Sequence, residues 1–85
     1  MVDRIELRPA ALRQARTLPV GARERVLARI NLLAYEPRGP GVRKLQGYES
    51  VYRASAGAYR ILYEVLDDVL VVVVIRIGHR RDVFR

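Results

Sequence analysis

Arginines are the residues of this chain with the clearest chemical potential. They supply 15 of its 16 basic residues, and with nine acidic residues the net charge is +7. A guanidinium stays protonated and can donate two parallel hydrogen bonds to a phosphate or carboxylate. Such an excess favours an anionic partner, and nucleic acid, an acidic protein and a membrane surface all qualify.

Other site chemistries are excluded by what the 85 residues lack. There is no cysteine, which excludes disulfides, zinc-finger sites and thiol nucleophiles, and a single histidine, His79, cannot form a histidine metal cluster. The charged start of the chain does not resemble a signal peptide, and the apolar run 69–75 is shorter than the roughly 20 residues of a membrane span. We expect one domain, residues 1–85, in the cytoplasm, with no membrane partner.

The first half of the chain predicts a strand followed by two helices. Residues 4–8 alternate charged and apolar side chains, which is typical of a half-buried strand. Pro9 suits the first position of a short helix that ends near Thr17. A second helix is expected over residues 20–35, before Pro37, so the two helices form a hairpin.

The second half predicts three strands, over residues 51–55, 59–66 and 69–77, all rich in β-branched and aromatic side chains. Turn residues at 57–58 and 67–68 separate them, and connections this short require antiparallel neighbours. The expected fold class is α+β, in the order β-α-α-β-β-β. Its helical hairpin packs on a small, mainly antiparallel, four-stranded sheet.

Strand alternation with two-residue turns sorts the side chains onto two faces. One face is apolar or aromatic and should meet the helices: Tyr52, Ala54, Tyr59, Ile61, Tyr63 and Val65. The other should face away and carry a mixed set: Arg53, Ser55, Arg60, Leu62, Glu64, Val71, Val73, Ile75 and Ile77. An uncovered apolar stripe beside arginines is a candidate binding surface for another chain.

Four segments carry a resemblance to a known family. They are Leu45-Gln-Gly, Tyr52-Arg53, Gly57-Ala-Tyr-Arg-Ile-Leu-Tyr-Glu64 and Arg76-Ile-Gly-His-Arg-Arg-Asp-Val83. Together they resemble the RelE/ParE toxin superfamily, and most closely its RelE-type members, over nearly the whole chain. RelE-like toxins are ribosome-dependent mRNA endonucleases of type II toxin–antitoxin pairs. They cut A-site mRNA by attack of a 2′-OH on the adjacent phosphate, without metal or cofactor.

The resemblance assigns roles to individual residues. Arg53, Arg60 and Arg80 match basic active-site positions, and Arg81 adjoins them. His79 is either a proton-transfer group or a packing residue. Two positions depart from the family pattern. Ser55 stands where many members have a second basic residue, and Phe84 stands where others have a tyrosine that stacks on or orients the substrate. Phe84 keeps the stacking surface and is the candidate stacking residue, but it lacks the hydroxyl as a hydrogen-bond partner.

The resemblance also implies partners. A cognate antitoxin, encoded next to the toxin, is expected to bind the face that carries Arg53, Arg60, Leu62, Val73 and Ile75. The ribosome and mRNA are the other expected partners, with operator DNA bound only as the toxin–antitoxin complex.

Two alternative functions remain open at this stage. One is a non-enzymatic inhibitor of DNA gyrase like the ParE branch. The other is a weakened toxin that acts through antitoxin binding and operon autoregulation.

Overall fold

The computed structural model describes residues 4–83. Its elements follow the chain as β1 (Arg4–Leu7), α1 (Pro9–Thr17), α2 (Val20–Leu33), β2 (Arg43–Lys44), β3 (Val51–Ala56), β4 (Tyr59–Leu66), β5 (Val71–His79) and α3 (Arg80–Val83). The strands form one sheet in the order β1-β5-β4-β3-β2, with β1 parallel to β5 and the other pairs antiparallel. The predicted α+β class is confirmed, with five strands instead of four. The extra strand, β2, is two residues long, too short to show alternation in the sequence.

The helical hairpin is held closed by one side chain of α2. The Arg23 guanidinium donates hydrogen bonds to the backbone oxygens of Ala15, Arg16 and Leu18, at 3.2, 2.8 and 3.2 Å. These oxygens lie at the carboxyl end of α1, where backbone acceptors have no partner within the helix. Because Arg23 satisfies these acceptors, it stabilises the helical hairpin.

Both helices pack against one side of the sheet, which we call the helix face. The core there combines Val26, Ile30 and Leu33 of α2 with Ile61, Tyr63, Val72 and Val74 of the two central strands. Six of these seven side chains are at most 2% exposed, and Ile30 is 3% exposed. The sorting of β3 and β4 side chains onto this face is as predicted, because the two-residue turn at 57–58 pairs Ala56 with Tyr59.

The loop between α2 and β2 is clamped to this core. Arg38 donates to both carboxylate oxygens of Asp67, at 3.1 and 2.6 Å, and to the Tyr52 hydroxyl at 2.9 Å. The Asp67 carboxyl consequently has a lowered pKa and the Arg38 guanidinium a raised one, since each is stabilised in its charged form. Tyr63 donates its hydroxyl to the Pro37 oxygen, and burial raises the pKa of Tyr63 to about 12.

Two irregularities separate the real register of β4 and β5 from the predicted one. The turn spans four residues, 67–70, and Leu70 adopts a positive φ of 54°. Leu66 therefore pairs with Val71. A β-bulge follows: Leu62 pairs with Arg76, whereas Tyr63 pairs with Val74. Strict alternation would place the charged Arg76 on the apolar helix face, which the bulge avoids, but no glycine or proline marks where the bulge lies.

None of the helices in the described part of the chain has the length and apolar character of a membrane span.

Candidate nucleic-acid interface

The side of the sheet away from the helices, which we call the open face, carries a row of basic side chains. Arg43 of β2 pairs with Arg53 of β3, Arg53 pairs with Leu62 of β4, and Leu62 pairs with Arg76 of β5. Directly paired residues share a face, and neighbouring strands lie about 4.8 Å apart. Three arginines and one leucine therefore form a continuous row across four strands, which we call the arginine row.

The β-bulge is what brings Arg76 into this row. Val74 and Ile77 both lie on the helix face and are 0% and 1% exposed. Two residues, Ile75 and Arg76, stand between these helix-face positions, where strict alternation would allow one. Arg76 is consequently exposed on the open face opposite Leu62, with Ile75 half-buried beside it.

Arg60 lies next to the arginine row, towards the β3–β4 turn. It pairs with Ser55 on one side and Gly78 on the other. Its guanidinium Nη1 donates to the backbone oxygens of Gly57 and Tyr59, both at 3.1 Å. Gly57 adopts a φ of +60°, which suits a residue without a Cβ, so the turn that anchors Arg60 depends on this glycine.

Acidic side chains occupy the opposite end of the open face. Glu64 and Glu6 flank Val73 in the neighbouring row. The Ser50 hydroxyl donates to Glu64 at 2.9 Å, and Arg4 pairs with Glu6 at 2.8 Å. The open face is therefore positive near the β3–β4 turn and carries carboxylates further along, which would direct a phosphate towards the arginines.

The carboxyl-terminal candidates do not all reach the open face. His79 pairs with Tyr59, and its ring meets the Tyr59 ring edge-on at 5.6 Å between centroids. Tyr59 packs against the core, so the imidazole lies on the helix side of the sheet, away from Arg60. Its Nδ1 accepts a hydrogen bond from the backbone N–H of Arg81 at 3.2 Å. The structure thus favours a packing position for His79, and its proposed part in proton transfer stays a prediction.

Arg80 and Arg81 begin the short helix α3 and are exposed. The backbone N–H of Arg80 donates to the Ala58 oxygen at 2.8 Å. Arg60 and Arg80 therefore both contact the β3–β4 turn. The stacking candidate Phe84 lies outside the described residues.

The candidate antitoxin surface is only partly the exposed apolar stripe that alternation predicts. Ile77 was expected on the open face and lies on the helix face instead, because the bulge reverses the alternation before it. Val71 and Val73 are on the open face but only 3% and 8% exposed. Leu62 and Ile75 remain half-buried there, beside the arginines.

The sequence analysis gave no role to two arginines of the arginine row, Arg43 and Arg76, although Arg76 opens one of the four segments that carry the family resemblance. The signal for Arg43 was a strand of two residues, and the signal for Arg76 was a bulge without a glycine or proline to mark it. Between residues 4 and 83 no group of histidine and acidic side chains is arranged to hold a metal ion. The chemistry that the arrangement can perform is electrostatic: fixed guanidinium charges around a phosphate group.

Fold and open face together define a small α+β protein whose sheet carries a cluster of arginines on the side away from the helices. The chain belongs to a toxin family: a family model described as "ParE toxin of type II toxin-antitoxin system, parDE" matches residues 5–84. No curated protein sequence matches the chain closely enough to count as a relative.

Solved structures of RelE toxins share this fold. The isolated E. coli RelE toxin is 28% identical, with a TM-score of 0.79, covering 88% of this chain and 81% of that one. The archaeal RelE–RelB complex from Pyrococcus horikoshii OT3 is 27% identical, with a TM-score of 0.82, covering 98% and 100%. The RelBE2 toxin–antitoxin complex of Mycobacterium tuberculosis is 26% identical, with a TM-score of 0.82, covering 94% and 100%. The resemblance to the RelE/ParE superfamily is thereby confirmed.

Proposed function

We propose that this toxin cleaves mRNA in the ribosomal A site and so inhibits translation. The observation that carries the proposal is the cluster of Arg53 and Arg60 on the open face, with Arg80 at the adjoining turn. Family membership and the likeness to RelE toxins support it. The protein would act in the cytoplasm, where its substrate is found.

The reaction fits a site made of arginines. The 2′-oxygen of a ribose attacks the adjacent phosphorus and loses its proton, while the bond from phosphorus to the 5′-oxygen breaks. The leaving 5′-oxygen takes up a proton, and the products are a 2′,3′-cyclic phosphate and a 5′-hydroxyl. Negative charge increases on the phosphate oxygens in the transition state, and Arg53 and Arg60 would stabilise it. Because the His79 ring lies on the helix side and Ser55 replaces a basic residue, we expect a slow nuclease.

The partner proposed for the resting state is a cognate antitoxin. Two of the similar structures are complexes of a RelE toxin with its RelB-type antitoxin. On this chain, Leu62 and Ile75 lie among the arginines, so an antitoxin segment with apolar anchors and flanking carboxylates fits the open face. Such a segment would exclude mRNA from the same surface, and the complex would be the form that binds operator DNA.

Primer extension on mRNA from a translating extract tests the nuclease function. Wild-type toxin should produce cuts positioned by codon, and Arg60→Ala should lower the rate about 10²–10³-fold, because it removes one fixed charge from the transition state. Arg13→Ala, an exposed change on α1, is the matched control and should cleave like wild type. Equal cleavage by a folded Arg60→Ala protein would falsify the assignment of Arg60.

A ParE-like inhibitor of DNA gyrase is the second candidate, favoured by the ParE family match and by the position of the His79 ring on the helix side. It predicts no cuts in mRNA but gyrase-dependent breaks in plasmid DNA. Running both assays on the same protein preparation separates the two functions.

A further inference from the structure

The β-bulge in β5 has a functional consequence. We infer that Arg76 is a further phosphate-binding residue of the open face, and that it replaces the basic side chain that is missing at Ser55. The inference deepens the proposed nuclease function and rests on it for the nature of the ligand, a single-stranded RNA backbone.

Position is the first argument. Arg76 and Arg53 flank Leu62 from opposite sides, so their Cα atoms are separated by two strand spacings, about 10 Å. Each arginine side chain is long enough to lean over Leu62, and the two guanidiniums could therefore contact successive phosphates or both sides of one. Arg43 extends the same row beyond Arg53.

The second argument is that, among the described residues, the Arg76 side chain is not engaged in a hydrogen bond or ion pair that stabilises the fold. Other arginines of the chain are occupied: Arg23 closes the helical hairpin, Arg38 clamps the loop to Asp67, and Arg29 donates to the oxygens of Ser55 and Pro40. Two acidic side chains are likewise engaged elsewhere, since Glu6 pairs with Arg4 and Asp67 with Arg38. Its immediate neighbours across the sheet and along the strand, Leu62 and Ile75, are apolar.

The third argument is the geometry of the strand itself. A bulge disrupts the hydrogen-bond ladder and leaves one residue without a partner, which is a cost to the sheet. Here its result is that a charged side chain reaches the open face between buried Val74 and Ile77. In many sheets a bulge re-aims a side chain beside an active site, and Arg76 lies diagonally across from Arg60 and one strand beyond Leu62 from Arg53.

The test compares Arg76→Ala with Arg76→Lys and with the control Arg13→Ala, all checked for folding by circular dichroism. Two measurements are made on each protein. One is the steady-state rate of mRNA cleavage in the translating extract. The other is fluorescence-anisotropy binding of a labelled single-stranded RNA whose 2′-hydroxyls are methylated, so that it cannot be cleaved, from 50 to 300 mM salt.

We expect Arg76→Ala to lower cleavage about 10–100-fold, mainly by raising KM, since a charged hydrogen bond to the substrate is lost. The slope of log affinity against log salt should fall by about 0.7, the value for one phosphate contact on a single strand. Arg76→Lys should keep the salt slope, and Arg13→Ala should match wild type.

The outcomes separate this inference from the proposed function. If wild type cleaves mRNA but Arg76→Ala equals Arg13→Ala in both measurements, the role of Arg76 is wrong and the nuclease function stands. If wild type does not cleave but binds RNA with a salt slope that Arg76→Ala reduces, the role of Arg76 stands and the nuclease function fails. If wild type neither cleaves nor binds RNA, both fail.

Discussion

The two faces of the same sheet differ in almost every physical respect. On the helix face the central strands present Ile61, Tyr63, Val72 and Val74. All four residues are 0% exposed, and the Tyr63 hydroxyl donates to the Pro37 oxygen. On the open face they present Leu62, Arg60 and Arg76, which are half-buried or exposed. Neighbours in sequence thus belong to different environments.

The contrast shows that, in a chain of 85 residues, one face of the sheet stabilises the fold and the other carries the candidate site. Apolar burial on the helix face stabilises the fold, at roughly 25 cal/mol per Å² removed from water. That leaves the open face able to concentrate like charges, whose mutual repulsion the core must offset. Substitutions on the two faces should therefore affect different measurements, stability on one and binding or catalysis on the other.

The largest expected effect is a difference in the free energy of unfolding between substitutions at two adjacent residues of β4, one on each face. Ile61→Ala should lower the free energy of unfolding by about 2–5 kcal/mol, because it opens a cavity in a packed core. Leu62→Ala, one residue further along β4 and half-buried on the open face, should cost less than half as much. Urea unfolding followed by circular dichroism measures both, and equal losses would contradict the assignment of the two faces.

The burial of Tyr63 should make the free energy of unfolding fall at alkaline pH. Its pKa is raised from 10.0 to about 12 in the folded protein, so its contribution to stability is complete below pH 10 and is lost as the pH rises through about 12. The loss is on the order of 2 kcal/mol.

Unfolding measured between pH 9 and pH 12 checks this, with Tyr63→Phe expected to flatten the decline. Exposed Tyr35→Phe is the control and should leave the decline unchanged. A steep decline that persists in Tyr63→Phe would show that another group is responsible.

Antitoxin binding should be sensitive to the open face and insensitive to the helices. Leu62→Asp should weaken binding about tenfold or more, because it places a charge at an apolar anchor and repels flanking carboxylates. Leu32→Asp, at an exposed position on α2, is the control. Calorimetry at two salt concentrations measures both variants, and weakening by Leu32→Asp alone would place the antitoxin on the helices instead.

The smallest effect expected is at the Arg38–Asp67 clamp. Because Arg38 lowers the pKa of the Asp67 carboxyl, this contribution to stability is present above the ordinary pKa of 3.8 and is lost as the pH falls through the folded value. Asp67→Asn should therefore flatten the acid side of the stability profile slightly, without changing toxin activity. Acid unfolding that is as steep in Asp67→Asn as in wild type would show that the pair does not contribute.

Much of the fold could be predicted because its signals are local. Pro9 and Pro37 bracket the helical hairpin, and Gly57-Ala58 sets a two-residue turn that pairs Ser55 with Arg60 as expected. That pairing depends on turn length and a period of two, both visible along the chain. The placement of Arg53, Arg60 and Leu62 on one face followed from it.

What the sequence by itself determined, then, is the order of the elements, the register of β3 with β4 and the excess of arginine. Only the tertiary structure decided where β5 lies against β4. Its four-residue turn and bulge moved Ile77 to the core, brought Arg76 to the open face and turned His79 towards the helices. The physical reason is that the first five residues of β5, 71–75, are all apolar, so either face suits their side chains and alternation specifies no register there. Packing against the helices and pairing with β1 therefore select the register of β5.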